Sequence, residues 1–476
     1  MPSPARRAGF ARAIVALATA HACAAPPRTP VSEPPTLVLT HATVIDPRDG
    51  SAAPDRTIAI RGERILEVTP SAGAAFPPGT RTIDATGKFV IPGLWDMHVH
   101  TFFGRWVPGG AEVTLPLLVA SGITGARDMG SELEPILAAR AAIAEHRMLG
   151  PRLVIAGPML DGPKTQFPSS IAIATPDDGR RAVQMLAGRG VDFIKIQSYL
   201  PRDAYFAIAD ECRRRGLPFV GHVPDAVRGS EAAGAGQRSF EHLIGIFEGS
   251  STAEDDLLNG HKTPGRFLDT YDPGRERVLI QLLATRQVWQ CPTLYWERGQ
   301  WLVDAIDVSH DPDARYAPVS WREASWPRFT ASILKDLDTD PLAVRERFVG
   351  HELALVRRLH AAGVPLLAGT DTPAGVDVIP GASLHHELQR FVDAGLSPLA
   401  ALQTATINPA RVLGRLAELG TVERGKLADL VVLDRNPLAD IANTRAIAAV
   451  VADGRYLSRD ELDGILREVA AAARTR

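Results

Sequence analysis

Between about residue 91 and residue 415, short apolar runs alternate with stretches whose apolar residues recur at helical spacing. The runs are Phe89–Leu94, Ile123–Arg127, Arg152–Ala156, Phe193–Ile196, Pro218–Val220, Ser239–Phe240, Val288–Gln290 and Val364–Ala368. Ala182–Gly188, Arg202–Arg215 and Glu352–Ala362 carry the helical period between several of them. Eight strands alternating with helices, over roughly 320 residues, fit a TIM (β/α)8 barrel. A doubly wound open sheet is the rival architecture, and periodicity alone does not separate the two.

The ends of the chain have a different pattern. Thr36–Thr40, Thr43–Ile45, Thr57–Ile60 and Ile65–Thr69 are short strand candidates separated by turns such as Arg48-Asp49-Gly50 and Arg61-Gly62-Glu63. Leu430–Leu433 and Ala446–Val451 repeat the pattern near the C-terminus. Neither cluster can bury a core alone, so 36–90 and 416–476 are expected to combine into one small β-sandwich domain with a C-terminal helix. Residues 91–415 form the α/β barrel domain, with an insertion at 294–345. Its 476 residues and 45% hydrophobic content give the chain ample core material. A net charge of −3 leaves no excess of cations for a broad nucleic-acid face, so a small-molecule partner is expected and nucleic acid is not.

The first residues have the order of an export signal. Arg6, Arg7 and Arg12 precede the apolar run Ala13–Ala20, and small residues follow to Ala25. This predicts a signal peptide over 1–25, a Pro-rich linker over 26–35 and an exported, periplasmic or secreted protein. Lipidation at Cys23 is the lesser reading, because the usual Leu three places upstream is missing. The apolar run is too short to span a bilayer in the mature chain. Cys212 and Cys291 are read as buried structural thiols, and a homo-oligomer is compatible with the sequence.

Chemistry-bearing residues sit where the apolar runs end. His98 and His100 close the first, Lys195 the fourth, His222 the fifth, His242 the sixth and Asp371 the eighth. Residues i and i+2 of an extended chain face the same side, so His98 and His100 can reach one metal ion. Taken singly, each is an ordinary polar residue; at strand ends that share the mouth of a barrel they form a constellation.

With those residues in place, the sequence resembles the amidohydrolase superfamily, in particular its imidazolonepropionase- and prolidase-like (Xaa-Pro dipeptidase-like) members. The resemblance runs through Ile-Pro-Gly-Leu-Trp-Asp-Met-His-Val-His at 91–100, Val-Asp-Phe-Ile-Lys-Ile at 191–196 and Gly-His-Val-Pro at 221–224. It continues through Glu-His-Leu at 241–243, Ala-Gly-Thr-Asp-Thr-Pro at 368–373, Thr-Ile-Asn-Pro-Ala-Arg at 406–411 and Gly-Lys-Leu-Ala-Asp-Leu-Val-Val-Leu at 425–433. It implies two divalent metal ions. His98, His100 and Asp371 would hold one, His222 and His242 the other, and a carboxylated Lys195 would bridge them. Zn²⁺ suits these ligands; Mn²⁺, Co²⁺ and Fe²⁺ are compatible, and a single metal beside an unmodified lysine is the rival arrangement. The implied chemistry is hydrolysis by metal-activated hydroxide, with Asp371 as general base and then general acid.

Asp96 is expected either to orient a ligand histidine or to serve as a polar residue at the base of the barrel. Tyr199, four residues after Lys195, resembles a tyrosine that touches substrate in dipeptidase-like relatives; a packing role is equally open. His385, beside His386 at the start of a helix, is a second candidate for substrate contact, with a solvent-exposed role as the alternative. The insertion carries Trp296, Trp301, Trp321 and Trp326, which form either a lid for a bulky apolar substrate or ordinary packing. The expected reaction is cleavage of an amide or peptide-type C–N bond in a dipeptide or N-acyl amino acid. Ester, lactone or phosphotriester hydrolysis on the same site, then cyclic-amide hydrolysis or deamination, and a non-catalytic binding protein on this fold, are the alternatives.

Overall fold

The computed structural model describes residues 34–475 apart from 259, 261, 338 and 339. The expected leader at 1–25, with Cys23, and most of the 26–35 linker lie outside the described residues. The two ends of the rest build one hydrogen-bonded sheet of eight strands. Leu37–Ile45 is a single strand, where two were expected, and it runs antiparallel to Ala52–Arg61, which in turn pairs with Arg64–Pro70. Its first half lies parallel to Arg81–Asp84 and its second half parallel to Phe89–Pro92. His41, with φ of 60°, stands between the halves. From Phe89–Pro92 the sheet continues antiparallel into Leu430–Leu433, Ile447–Ala452 and Arg455–Ser458. Leu39, Ile58, Ile60 and Val90 from one end pack with Leu430, Val432 and Val451 from the other.

The expected strand Phe89–Leu94 is in fact two. Phe89–Pro92 belongs to the terminal sheet, and Leu94–Val99 begins the parallel strands. Pro92 has no N–H to continue a ladder, and Gly93 donates instead to Asp429 O at 2.7 Å, so the chain changes layers there. Leu94–Val99, Ile123–Asp128 and Arg152–Ile155 form one parallel set. Ile171–Ala172, Leu160–Asp161, Ile194–Ile196, Phe219–Gly221, Ser239–Glu241 and Trp289–Cys291 form another. The two-residue strands at 160 and 171 are too short to show a sequence period.

Hydrogen bonds run between the sets on both sides. Asp192 N donates to Ile155 O at 2.8 Å. On the other side Leu367 N donates to Gln290 O at 2.8 Å, Met97 N to Ala368 O at 2.9 Å and Asp371 N to His98 O at 2.8 Å. The expected strand Val364–Ala368 therefore lies between Trp289–Cys291 and Leu94–Val99, but through isolated bridges rather than a full ladder. Helices Pro176–Gly188, Arg202–Arg215, Pro273–Arg286 and Leu342–Ala361 intervene along the chain. Pro176–Gly188 starts with a capping box, Thr175 accepting from Asp178 N while Asp178 accepts from Thr175 N. No helix among the described residues is long and apolar enough to cross a membrane.

Arg152, at the start of its parallel strand, ties that layer to the terminal sheet. Its Nε donates to Asp429 at 2.6 Å and its Nη2 to Glu63 at 3.1 Å and to Asp453. Asp429 is buried, and removing its cation would leave the carboxylate with only the hydrogen bond from Asp453 N at 2.7 Å. Arg152→Met is expected to lower unfolding free energy by about 1–3 kcal/mol, read as a lower urea midpoint.

Candidate active site

Each strand end delivers a polar side chain because small residues let neighbouring strands approach closely. A Cβ on Gly369 would meet His98 Cβ at 2.8 Å and Cys291 Sγ at 2.4 Å. One on Gly221, at φ of 126°, would meet Ile196 O at 2.3 Å and Lys195 Cδ at 2.8 Å. Glycine two residues before Asp371 and immediately before His222 therefore sets the spacing at these two positions. His242 and Asp371 themselves have φ near 60°. That conformation disfavours side chains with a Cβ, and it is held here by the surrounding hydrogen bonds.

The four expected histidines come together, and each is tied at Nδ1. His98 Nδ1 lies 3.0 Å from Glu241 Oε2, and His100 Nδ1 2.7 Å from Gly130 O. His222 Nδ1 lies 2.7 Å from Ser198 Oγ, and His242 Nδ1 2.7 Å from Thr293 Oγ1. A partner on one ring nitrogen fixes the ring and leaves the other nitrogen as the ligand atom. His98 Nε2 and His100 Nε2 lie 3.3 and 3.0 Å from Asp371 Oδ1, and His242 Nε2 lies 3.9 Å from Asp371 Oδ2. Ring centres of His98 and His222 are 4.8 and 4.9 Å from that of His242.

Glu241 was not foreseen, although it directly precedes His242. Fully buried, it accepts from Ser239 Oγ at 2.5 Å and from Arg127 Nη2 at 2.9 Å while it holds His98. Arg127 also donates to Met97 O at 2.6 Å, next to His98 in the chain. Asp96 does not touch a ligand imidazole. It accepts from His98 N at 3.1 Å, Thr370 N at 3.1 Å and Thr370 Oγ1 at 2.7 Å. It thus positions backbone on both sides of the seam, and the ring-orienting role expected of it falls to Glu241.

Burial holds His98 and His222 well below the ordinary imidazole range and brings His242 down to about 4, so all three are neutral and able to ligate. Burial brings Lys195 down to about 8 against the opposing pull of Glu241 and Asp371. Burial would raise Asp371, but His98, the hydrogen bond from His100, and His242 prevail and lower it to about 2. Burial raises Asp96 to about 7.

Divalent metal fits these residues. His98 Nε2 and Asp371 Oδ1 are buried without a satisfactory hydrogen bond. One ligand atom from each of His98, His100 and Asp371 lies within 4.8 Å of the others. Two imidazoles and a carboxylate are a donor set for Zn²⁺ and its neighbours.

The six residues line a cavity of about 270 Å³, with Trp296, Phe103, Trp106 and Phe329 among its other walls. Tyr199 lines an adjoining cavity and is 53% exposed. His385 is not brought to the site. Its ring lies 2.9 Å from Thr444 Oγ1 and 3.1 Å from Ser121 O, buried under the terminal layer, so neither the substrate contact nor the exposed position expected for it is found. Of the four tryptophans, Trp321 and Trp326 are buried packing residues, whereas Trp296 faces the cavity and donates to Ala374 O at 2.8 Å.

The amidohydrolase family profile matches residues 89–262 and 296–457. The chain belongs to the amidohydrolase family. Relatives matched in this family are hydrolases of C–N bonds, and the six candidate ligands lie inside the matched segments. Among solved structures it is similar to a protein of Bifidobacterium longum described as a prolidase, with 26% identity, 91% of this chain and 98% of the other covered, and a TM-score of 0.65. It is similar also to a bottromycin amidohydrolase, at 26% identity, 93% and 91% coverage and a TM-score of 0.71. A curated adenine deaminase of Rubrobacter xylanophilus is 35% identical over 101 residues, which are 21% of this chain and 17% of that enzyme. The match thus spans a small part of that relative's length.

The deaminase relatives correct one expectation. Enzymes of that kind are typically cytosolic, which stands against the exported, periplasmic or secreted location read from the first residues, and lipidation of Cys23 is withdrawn with it.

Because Glu241 sets the His98 ring, Glu241→Gln is expected to weaken metal binding about 10- to 100-fold, measured by competition with a chromogenic chelator.

Proposed function

We propose that this amidohydrolase cleaves an amide or peptide-type C–N bond, in a dipeptide or N-acyl amino acid, on a two-metal site in a closed (β/α)8 barrel. The hydrogen bonds that join the parallel sets at Ile155 and at 365–371 support the closed barrel. His98, His100 and Asp371 would hold one ion, His222 and His242 the other, and a carboxylated Lys195 would bridge them. The observation that carries the bridge is Lys195 itself. It is 1% exposed, and no hydrogen bond or ion pair to its Nζ is found among the described residues. Glu241 and Asp371 attract the ammonium only from beyond ion-pair distance, and a buried ammonium without a direct hydrogen bond or ion pair costs on the order of several kcal/mol. A carbamate facing cations removes that cost.

When bound, the ions supply Lewis-acid activation of water and of the substrate carbonyl. The protein's own part is proton movement and positioning. Asp371, which lines the cavity and is kept ionised by the imidazoles, accepts the proton of the attacking water and delivers it to the leaving nitrogen. Trp296 and Phe103 exclude water beside the reacting atoms. The prolidase-like neighbour favours a peptide-type substrate; the deaminase relative, matched over a short stretch, favours C–N hydrolysis in general.

Metal analysis with a screen of dipeptides and N-acyl amino acids tests the reading. About two equivalents of divalent metal, activity lost to chelator and regained with Zn²⁺ and bicarbonate, are the expected results. Less than one equivalent with no recovery would remove the hydrolase. Asp371→Asn should lower kcat about 10²- to 10⁴-fold. Lys195→Ala should abolish turnover and reduce bound metal, and full retained rate in that variant would rule out the bridge.

A further inference from the structure

The cavity over the candidate ligands opens in two directions of different chemistry. One lobe runs from His98, His100 and Asp371 to Arg328 and Phe329. The other, about 350 Å³, shares His222, His242 and Trp296 and leads toward Tyr199, Glu248 and Lys262.

Aromatic rings wall the first lobe in an unbroken series. Ring centres are 4.7 Å apart for His100 and Phe103, 5.1 Å for Phe103 and Phe167, and 4.8 Å for Phe167 and Trp106. Phe329 closes the series 5.0 Å from Trp106. Phe329 and Arg328 stand on the helix Trp326–Asp336. That insertion is anchored to the segment bearing Trp106: Ser325 Oγ donates to Trp106 O at 2.7 Å and Trp321 Nε1 to Pro108 O at 2.8 Å.

The cations of the two lobes differ. Lys262 is neutralised by Asp225 at 2.7 Å and Glu248 at 2.8 Å. Arg328 has no carboxylate partner among the described residues. Its guanidinium carbon lies 4.9 Å from the Trp106 ring centre and 6.0 Å from that of Phe329, and one Nη2 donates to Trp106 O at 3.2 Å. Stacking occupies the face of a guanidinium and leaves most of its five edge donors for a planar acceptor. A cation held by aromatic faces at the end of an apolar wall that begins at the reacting centre is arranged for an amphipathic anion.

We propose that Arg328 determines specificity by receiving a substrate carboxylate while the substrate's aromatic or bulky apolar side chain packs on Trp106, Phe167 and Phe329. The substrate class is then an N-acyl aromatic amino acid, or a dipeptide ending in one. The assignment rests on the hydrolase reading above, with the amine portion in this lobe and the acyl portion in the other.

Calorimetric titration of metal-loaded protein with 3-phenylpropionate and with 3-phenylpropionamide tests it without requiring turnover. The carboxylate is expected to bind wild type about tenfold more tightly or better, and Arg328→Met should bring that ratio close to one. The same collapse is expected in the ratio of kcat/KM for N-acetylphenylalanine over N-acetylphenylalaninamide. Arg328 is exposed, so the variant should keep its fold, checked by an unchanged melting temperature. A preference that persists in Arg328→Met, as direct ligation of the carboxylate by metal would produce, overturns the assignment, as does absence of any preference in wild type. An Arg328-dependent preference with no amide hydrolysed would keep this assignment and remove the hydrolase, so the two failures are distinct.

Discussion

Asp371 must reach His98 and His100 across the seam where the last parallel segment meets the first, and much of the structure serves that approach. The seam is not a long ladder. It is Met97 N to Ala368 O, Asp371 and Thr370 N to His98 O, His100 N to Thr372 O, and the Asp96 carboxylate accepting from backbone on both sides. Gly369 removes the Cβ that would strike His98. With so few ladder bonds, position is set by buried polar groups, which are rigid only when every donor and acceptor is matched. Arg127 and Glu241 extend this network from the other side: Glu241 holds the His98 ring, Arg127 holds Glu241 and Met97 O, and three strands are thereby linked.

Burial does two things at once here. It keeps the His98, His222 and His242 imidazoles neutral, and it makes uncompensated charge costly, so His98 Nε2, Asp371 Oδ1 and the Lys195 ammonium are poorly satisfied by protein alone. A site with that imbalance is suited to binding cations, because each ion relieves several unmet ligand atoms together. The surrounding layer that fixes the rings is made of modest residues, Ser198, Thr293 and the carbonyl of Gly130, whose role comes only from where they sit.

Reaction machinery and selectivity come from different parts of the fold. The candidate ligands stand at or just after the ends of the parallel strands, whereas Trp106, Phe167, Phe329 and Arg328 come from connecting segments that line the same cavity. Loops can vary while the strands beneath remain in place, which is why the same donor set can serve many substrates.

From the sequence alone came the alternation of elements, the expectation that its two ends combine, read there as a sandwich and seen as one hydrogen-bonded sheet of eight strands, and the six candidate ligands at strand ends. These are legible because period, turn chemistry and strand-end location are local properties of the chain. It also placed Gly221 and Gly369 beside ligand positions, though their purpose is visible only against a neighbouring strand. The division at Gly93 was hidden because the runs on either side are equally apolar. Glu241, Arg127 and Ser198 were hidden because a hydrogen bond between residues far apart in sequence has no local period. His385 was misplaced for the same reason: a helical histidine reads alike whether it faces solvent, a cavity or, as here, Ser121 and Thr444. Tertiary structure decided which polar groups are buried together, and therefore which residues hold the ligands, which wall the cavity and which of two cations is left to meet a substrate.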